Sequence, residues 1–330
     1  MCCINKIDKI MKRLICAVSA AMLLVQGCSK TDSGYSDDRV DTSVQGRMSV
    51  VLTYEYPVGK SLGDYDFVLS EESLVTDIQV LVFDGVTGAL QRSSVLSSIE
   101  STCEFQIPAG LKTVYALING PDVGKVKSIS ELLALTDNLS LRDYRQSGFV
   151  MMGCADCEVA PGAVARPLIE VGRLVSRVVL RSITCNIARQ YEKMTVDCVY
   201  LGHAAMEYCL GGMVIDWADA DLCPDYFYRS IGCELQVGQL YDQPVCLYCY
   251  PNDTLDYTFL YLSTTIGEKK YYYRIPLDKG LSSNVSCAVD VAITNLGADS
   301  PVDGDIQKGE IKADIFIEGW AAGYLYDAEF

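Results

Sequence analysis

From residue 46 onward the apolar positions come in short runs cut by turn residues at intervals of about eight to twelve positions, the spacing of a β-sandwich. Met48, Val50, Leu52 and Tyr54 share one face of the alternating segment 48–56 and predict a first strand. Ile78-Gln-Val-Leu-Val-Phe83 is apolar at nearly every position, as a strand covered on both faces would be, and closes on Asp84-Gly85. Segment 103–107 alternates and stops at Pro108-Ala-Gly110. Segment 113–118 stops at Asn119-Gly-Pro121, and 149–152 reads as a further short strand. In the second half, strands are expected at 194–200, 244–250, 257–263, 270–275, 285–294, 311–317 and 324–330, with Ile266-Gly-Glu-Lys269 as a hairpin turn.

One helix interrupts. Ser128-Ile-Ser-Glu131 has the form of a capping box, followed by an apolar stripe of Ile129, Leu132, Leu133 and Leu135. Segment 173–183 is ambiguous, because Arg173, Arg177 and Arg181 repeat at helical spacing. Its β-branched content decides for a strand. The three arginines could form an anion site, but in so acidic a chain pairing with local carboxylates is the expectation. Segment 159–167, weak in pattern and holding Pro161 and Pro167, is the best boundary. The sequence therefore predicts an all-β protein of two tandem β-sandwich domains, 46–165 and 166–330, with one short helix in the first.

The leader is of a different kind. Lys12 and Arg13 precede a twelve-residue apolar run, 14–25, and then Gly27-Cys28. As a helix that run spans about 18 Å, too short for a bilayer and right for a signal peptide. Val25-Gln26-Gly27-Cys28 has the form of a lipobox, with Gln26 departing from the usual small residue. Residues 1–27 are expected to be removed, Met11 being the expected initiator, and Cys28 to be lipidated, with ordinary secretion as the alternative. Residues 28–45 form a polar, flexible tether. The product would be an exported lipoprotein.

Charge and chemistry narrow the function. The chain has 27 basic against 43 acidic residues, a net charge of −16. Removing 1–27 takes Lys6, Lys9, Lys12, Arg13 and Asp8, leaving 23 against 42 and a charge of −19. That argues against nucleic acid as a partner, since counterion release needs a basic stripe. Twenty-one tyrosines against eight phenylalanines suggest strands with half-exposed faces. His203 is the only histidine, and no nucleophile motif accompanies it. Cys154 with Cys157, and Cys246 with Cys249, form two CxxC pairs, but strand geometry turns the members of each pair to opposite faces, which argues against zinc. The eleven cysteines after Cys28 read best as small core residues, their odd number ruling out a fully paired framework but leaving room for one or two disulfide bridges. Asp299 to Glu310 places carboxylates at calcium-loop spacing, yet Pro301 stands where a ligand is needed. No metal, cofactor or catalytic site is expected.

Several ordered segments resemble the fimbrillin family, the lipoprotein-derived subunits of type V pili. They are the Gly27-Cys28 leader, Val75-Thr-Asp-Ile-Gln-Val-Leu-Val-Phe-Asp84, Ala109-Gly-Leu-Lys-Thr-Val-Tyr-Ala-Leu-Ile-Asn-Gly-Pro121 and the capped helix. They continue through Met151-Met-Gly153, Arg173-Leu-Val-Ser-Arg-Val-Val-Leu180, Tyr250-Pro-Asn252, Tyr271-Tyr-Tyr-Arg-Ile-Pro-Leu277 and the tail beginning at Trp320. The resemblance implies two transthyretin-like sandwiches and a non-enzymatic fimbrial subunit that mediates adhesion at the cell surface. It also implies assembly with other fimbrial subunits by strand exchange and a lipid anchor in the outer membrane before maturation. A protease would release the first strand, carrying Met48, Val50, Leu52 and Tyr54. The period-2 row Tyr324, Tyr326, Ala328 and Phe330 would act as the donor strand. The family's cut follows an arginine behind the first strand, whereas no arginine lies between Pro57 and Leu90 here, so either another protease cuts, near Lys60, or this subunit keeps its strand and ends or anchors a fibre. A surface glycan-binding lipoprotein, stacking sugars on Trp217 and Trp320, is the competing reading. A host or bacterial surface ligand fits either.

Overall fold

A computed structural model describes residues 45–54, 70–99, 101–218, 225–252, 258–277, 281–301 and 311–319 of the chain. It is all-β. The first part holds β1 (Gln45–Tyr54), β2 (Ile78–Asp84), β3 (Leu90–Leu96), β4 (Cys103–Pro108), β5 (Gly110–Ile118), β6 (Thr136–Asn138), β7 (Met151–Val159), β8 (Val164–Ala165) and β9 (Leu168–Arg173). The second holds β10 (Ser176–Cys185), β11 (Lys193–Gly202), β12 (Ala204–Cys209), β13 (Met213–Ala218), β14 (Tyr228–Gln236) and β15 (Leu240–Tyr241). It continues with β16 (Val245–Cys249), β17 (Phe259–Ile266), β18 (Lys269–Pro276), β19 (Val285–Ile293) and β20 (Ile311–Gly319).

The largest sheet runs β3-β2-β5-β7-β9-β1-β4, with β8 set against β1. Its central strands explain their continuous apolar runs. Val80 and Val82 of β2, with Val114 and Ala116 of β5, enter one core together with Met48, Val50, Leu52, Phe105 and Ile107. The alternate residues Leu81, Phe83, Tyr115 and Leu117 enter a second core shared with Val178, Leu180, Leu247 and Val289. Period-2 geometry thus sends each half of one apolar run to a different core.

The rest of the chain forms three smaller sheets, β15-β10-β19-β20 with β16 on β10, β14-β11-β17-β18, and β13-β12-β6. Two strands cross the expected division. β6, from the first part, pairs with β12. β9 lies beyond the boundary expected at 165/166, yet pairs with β1 and β7. The single strand expected at 173–183 is two: β9 ends at Arg173, and β10 begins at Ser176 in a different sheet. Leu174 N–H donates to the Val150 carbonyl at 2.9 Å at the crossing point.

The expected helix is α1 (Ile129–Leu133), whose Ser128 Oγ accepts from the Glu131 N–H at 3.3 Å. The Glu131 carboxylate reaches one residue further back than a standard box and accepts from the Lys127 N–H at 2.7 Å. A second short helix, α2 (Tyr144–Ser147), corrects the expectation of one. Its cap is Asp143, which accepts from the Arg145 N–H. The hairpin turn lies as expected between β17 and β18, with Gly267 at φ +65° supplying the left-handed residue a two-residue loop requires.

Candidate functional site

β1 is inserted into its sheet rather than laid on an edge. Residues 45–50 run antiparallel to β4, pairing Met48 with Phe105 and Val50 with Cys103. On the other side Arg47 and Met48 run parallel to β8, and residues 51–54 run parallel to β9, with Leu52 opposite Ile169 and Tyr54 opposite Val171. Met48 and Val50 are wholly buried and Leu52 nearly so, while Val51 and its neighbour Leu168 face outward, 36% and 62% exposed. The alternation in sequence is therefore the alternation of burial. Gly46 is buried as well. A Cβ there would run into the Val159 side chain and stand 2.8 Å from the backbone oxygen of Ala160, so the position has no room for a side chain.

Behind β1, residues 55–69 lie outside the described set, and the chain is next seen in a 3-10 turn, Ser70–Ser73. This turn is fixed to the second half through Glu72, which is fully buried. Arg177 Nη1 pairs with Glu72 Oε2 at 3.0 Å, and the Tyr248 hydroxyl donates to Oε1 at 2.6 Å. Arg173 Nε and Nη2 donate to the Glu72 carbonyl at 3.1 and 2.9 Å, and Arg177 Nε donates to Ser286 Oγ at 3.0 Å. Burial first, and the Glu72 carboxylate second, push the Tyr248 hydroxyl far up, so it stays a neutral donor. Arg181 pairs with Asp290. Arg177 and Arg181 do meet carboxylates, but their partners lie 105 and 109 residues away in sequence and not locally, and Arg173 donates to a backbone carbonyl.

The tyrosines meet the expectation of half-wet faces only in part: Tyr228 is exposed and Tyr241, Tyr271 and Tyr272 are half-buried, while others fill the core. Tyr248, Tyr250 and Tyr273 are buried almost completely. Tyr250 donates to Asp137, which also accepts from Arg142 Nη1 at 3.0 Å, and Tyr273 donates to the Asn295 carbonyl at 2.9 Å. Each ring fills core volume while its hydroxyl satisfies a buried acceptor. A residue missed in the sequence is Asn119, held at φ +53° and buried. Its Oδ1 accepts from the Thr76 N–H at 2.8 Å, and its Nδ2 donates to the carbonyls of Leu74 (2.7 Å) and Phe149 (3.0 Å). The only signal in the sequence was a turn-forming Asn-Gly.

Cys154 and Cys157 face opposite sides of β7, one packing on each core. Cys154 is disulfide-bonded, within the one or two bridges left open by the sequence, whereas seven other described cysteines are free and buried. Burial raises the Cys246 thiol to about 12. Trp217 is half-buried and stacks on His203 with ring centres 4.8 Å apart. His203 itself turns the chain from β11 into β12 at φ +50°. Asp299 pairs with Lys269 at 2.6 Å. Among the described residues no group of three or more His, Cys, Asp or Glu could hold a metal ion. The expected lipidation site Cys28, the expected donor row Tyr324, Tyr326, Ala328 and Phe330, Trp320 and most of the acidic loop after Asp299 lie outside the described residues.

No protein-family model matches the sequence, and no curated protein matches it. Solved structures do. A candidate cell adhesion protein from Bacteroides eggerthii superposes with a TM-score of 0.61 at 15% identity, covering 84% of this chain and 96% of that one. The fimbrilin FimA from Porphyromonas gingivalis gives 0.58 at 13% identity, covering 83% and 97%. The tip fimbrial protein Mfa3 from the same organism gives 0.52 at 13%, covering 84% and 100%. Identity this low speaks for the fold alone, and the fold it shows for this chain is the all-β, fimbrillin-like one of FimA and Mfa3.

Proposed function

We propose that this chain is a structural subunit of a cell-surface fimbria, exported as a lipoprotein through Cys28 and assembled by replacement of β1 with a strand from another subunit. The observation that carries the reading is the insertion of β1 between β4 and β8/β9. Removing it would free hydrogen-bonding edges on both sides and open a cleft at the places of Met48, Val50 and Leu52. Each buried side chain of that size is worth about 1.5–3 kcal/mol, so an empty slot has a strong drive to refill. An alternating strand from a neighbour restores both the ladder and the burial, which is β-augmentation. The segments 46–165 and 166–330 are then the two sandwich domains of the subunit, with β9 lent to the first. Trp217 stacked on His203 gives the glycan-binding alternative no support.

The test is to cut the purified precursor within 55–69 and mix it with sibling subunits. Heat-labile, SDS-resistant ladders are expected, and they should weaken when residues 321–330 of the donating subunit are deleted. Cleaved chains that stay monomeric in every mixture would refute strand replacement.

A further inference from the structure

We infer that the β1 slot selects its occupant by side-chain size, taking a strand of the pattern glycine-x-aliphatic-x-aliphatic-x-aliphatic and rejecting this chain's own tail. The inference rests on the strand-replacement reading and names the partner class of that site. The occupant in place defines the pattern: Gly46, Met48, Val50 and Leu52 point inward, and all four are buried. The site of Gly46 is closed by the Val159 side chain and by the backbone oxygen of Ala160, 2.8 Å from an added Cβ. Backbone cannot step aside as the end of a flexible side chain can, so alanine is already too large. The φ of Gly46 is not in the left-handed region, so the constraint is space and not conformation.

The tail fails this test in four alignments that bring a small residue to the glycine site. Run in the direction of β1, with its apolar row inward, it places Ala322 at the site of Gly46, and Tyr324 and Tyr326 at the sites of Met48 and Val50. Aromatic rings would then stand where Val50 and Met48 leave no exposed surface. Running the strand backwards with Ala328 at the glycine site brings the same two tyrosines in. The opposite parity brings Gly323 to the glycine site and turns Asp327 into the core. Shifting so that Gly319 takes that site leaves Ala321 and Gly323 where Met48 and Val50 stood, and two cavities. Overpacking and cavities both weaken a core that is close-packed. The chain is therefore a poor acceptor of its own tail, and the strand that fills its slot belongs to a different subunit.

The experiment uses the full chain with a protease site introduced within 55–69, cut so that β1 is held without a covalent link. Displacement of a fluorescent 45–54 peptide is followed by anisotropy. Unlabelled 45–54 should compete fully. Its Gly46→Val version and the 320–330 peptide should compete about tenfold more weakly or worse, the ratio that a packing penalty of ordinary size produces. A tail peptide carrying Ala322→Gly, Tyr324→Met, Tyr326→Val and Ala328→Leu should regain most of the loss. Equal competition by the native tail, or by the Gly46→Val peptide, overturns the size rule while leaving strand replacement standing. If the labelled 45–54 peptide is never exchanged by its own unlabelled copy, strand replacement fails, and this inference with it.

Discussion

Arg177→Met tests whether the turn behind β1 is held to the second half by one buried ion pair. Glu72 is fully buried and Arg177 is 5% exposed, with 3.0 Å between Oε2 and Nη1. Taking the guanidinium away leaves a carboxylate in the core facing a methionine. Breaking a buried pair by removing one partner costs about 3–5 kcal/mol, because the remaining charge has lost its water without regaining its counter-charge. Glu72→Gln keeps an acceptor for the Tyr248 hydroxyl and strands the arginine, so its cost should be comparable. The double variant removes both members of the pair and keeps only Arg173 on the Glu72 backbone carbonyl, and its cost should fall short of the sum of the singles by roughly 2–3 kcal/mol. Arg177→Lys should recover little, since one ammonium cannot serve both Ser286 Oγ, reached by Nε, and Glu72, reached by Nη1. Urea unfolding followed by circular dichroism and by tyrosine fluorescence measures all four. The two probes must agree, because a chain of this size can unfold in stages. Singles that add to the double within about 0.5 kcal/mol would mean that Glu72 and Arg177 do not act as a unit.

Asn119→Ala should lower stability by about 2–4 kcal/mol in the same assay, because the carbonyls of Leu74 and Phe149 and the N–H of Thr76 lose a buried partner together. A loss under about 1 kcal/mol would show that water replaces the side chain. Asp84 is held below its ordinary value of 3.8, mainly by the Thr87 N–H, partly offset by burial, and then by the Thr87 hydroxyl, the Val86 N–H and the Lys112 ammonium. A carboxyl lowered in the fold stabilises above its unfolded pKa and loses that contribution as pH falls through its folded value. The stability gap between wild type and Asp84→Asn should therefore hold from neutral pH down to the ordinary carboxylate range and narrow as pH falls below 3.8, and a gap independent of pH would contradict this. Among the described thiols, half-buried Cys233 should react with iodoacetamide in the native state. Cys246, raised to about 12 by burial, and the fully buried Cys249 and Cys287 should react only in denaturant. Mass spectrometry of the labelled peptides decides it.

Local pattern was enough wherever a side chain's fate depends on its own strand. The alternation from Met48 to Leu52 placed β1 and its buried face, the nearly all-apolar run at 78–83 foretold a strand covered on both sides, and the Ser128 to Glu131 spacing located α1. β9 and β13 were missed because Gly172 and the mixed Asp216-Trp217 blur their alternation. β14 alternates only between exposed and half-buried positions, so no clean apolar face marks it. The break at Leu174–Val175 left no mark at all, since both residues are apolar and buried and the strand reading ran straight through them.

By itself the sequence determined the all-β class, the first strand and its inward row, and the absence of any recognised catalytic spacing, because period, turn residues and residue type are properties of neighbours along the chain. Tertiary structure alone decided that β1 lies between β4 and β9 instead of on an edge, and that β6 and β9 cross the expected boundary. It also decided that Glu72 finds Arg177 and Tyr248 more than a hundred residues away, and that Gly46 is glycine because Val159 and Ala160 close over it. Each of these depends on which distant backbone comes alongside, a choice made by the summed burial of two cores that no local window contains.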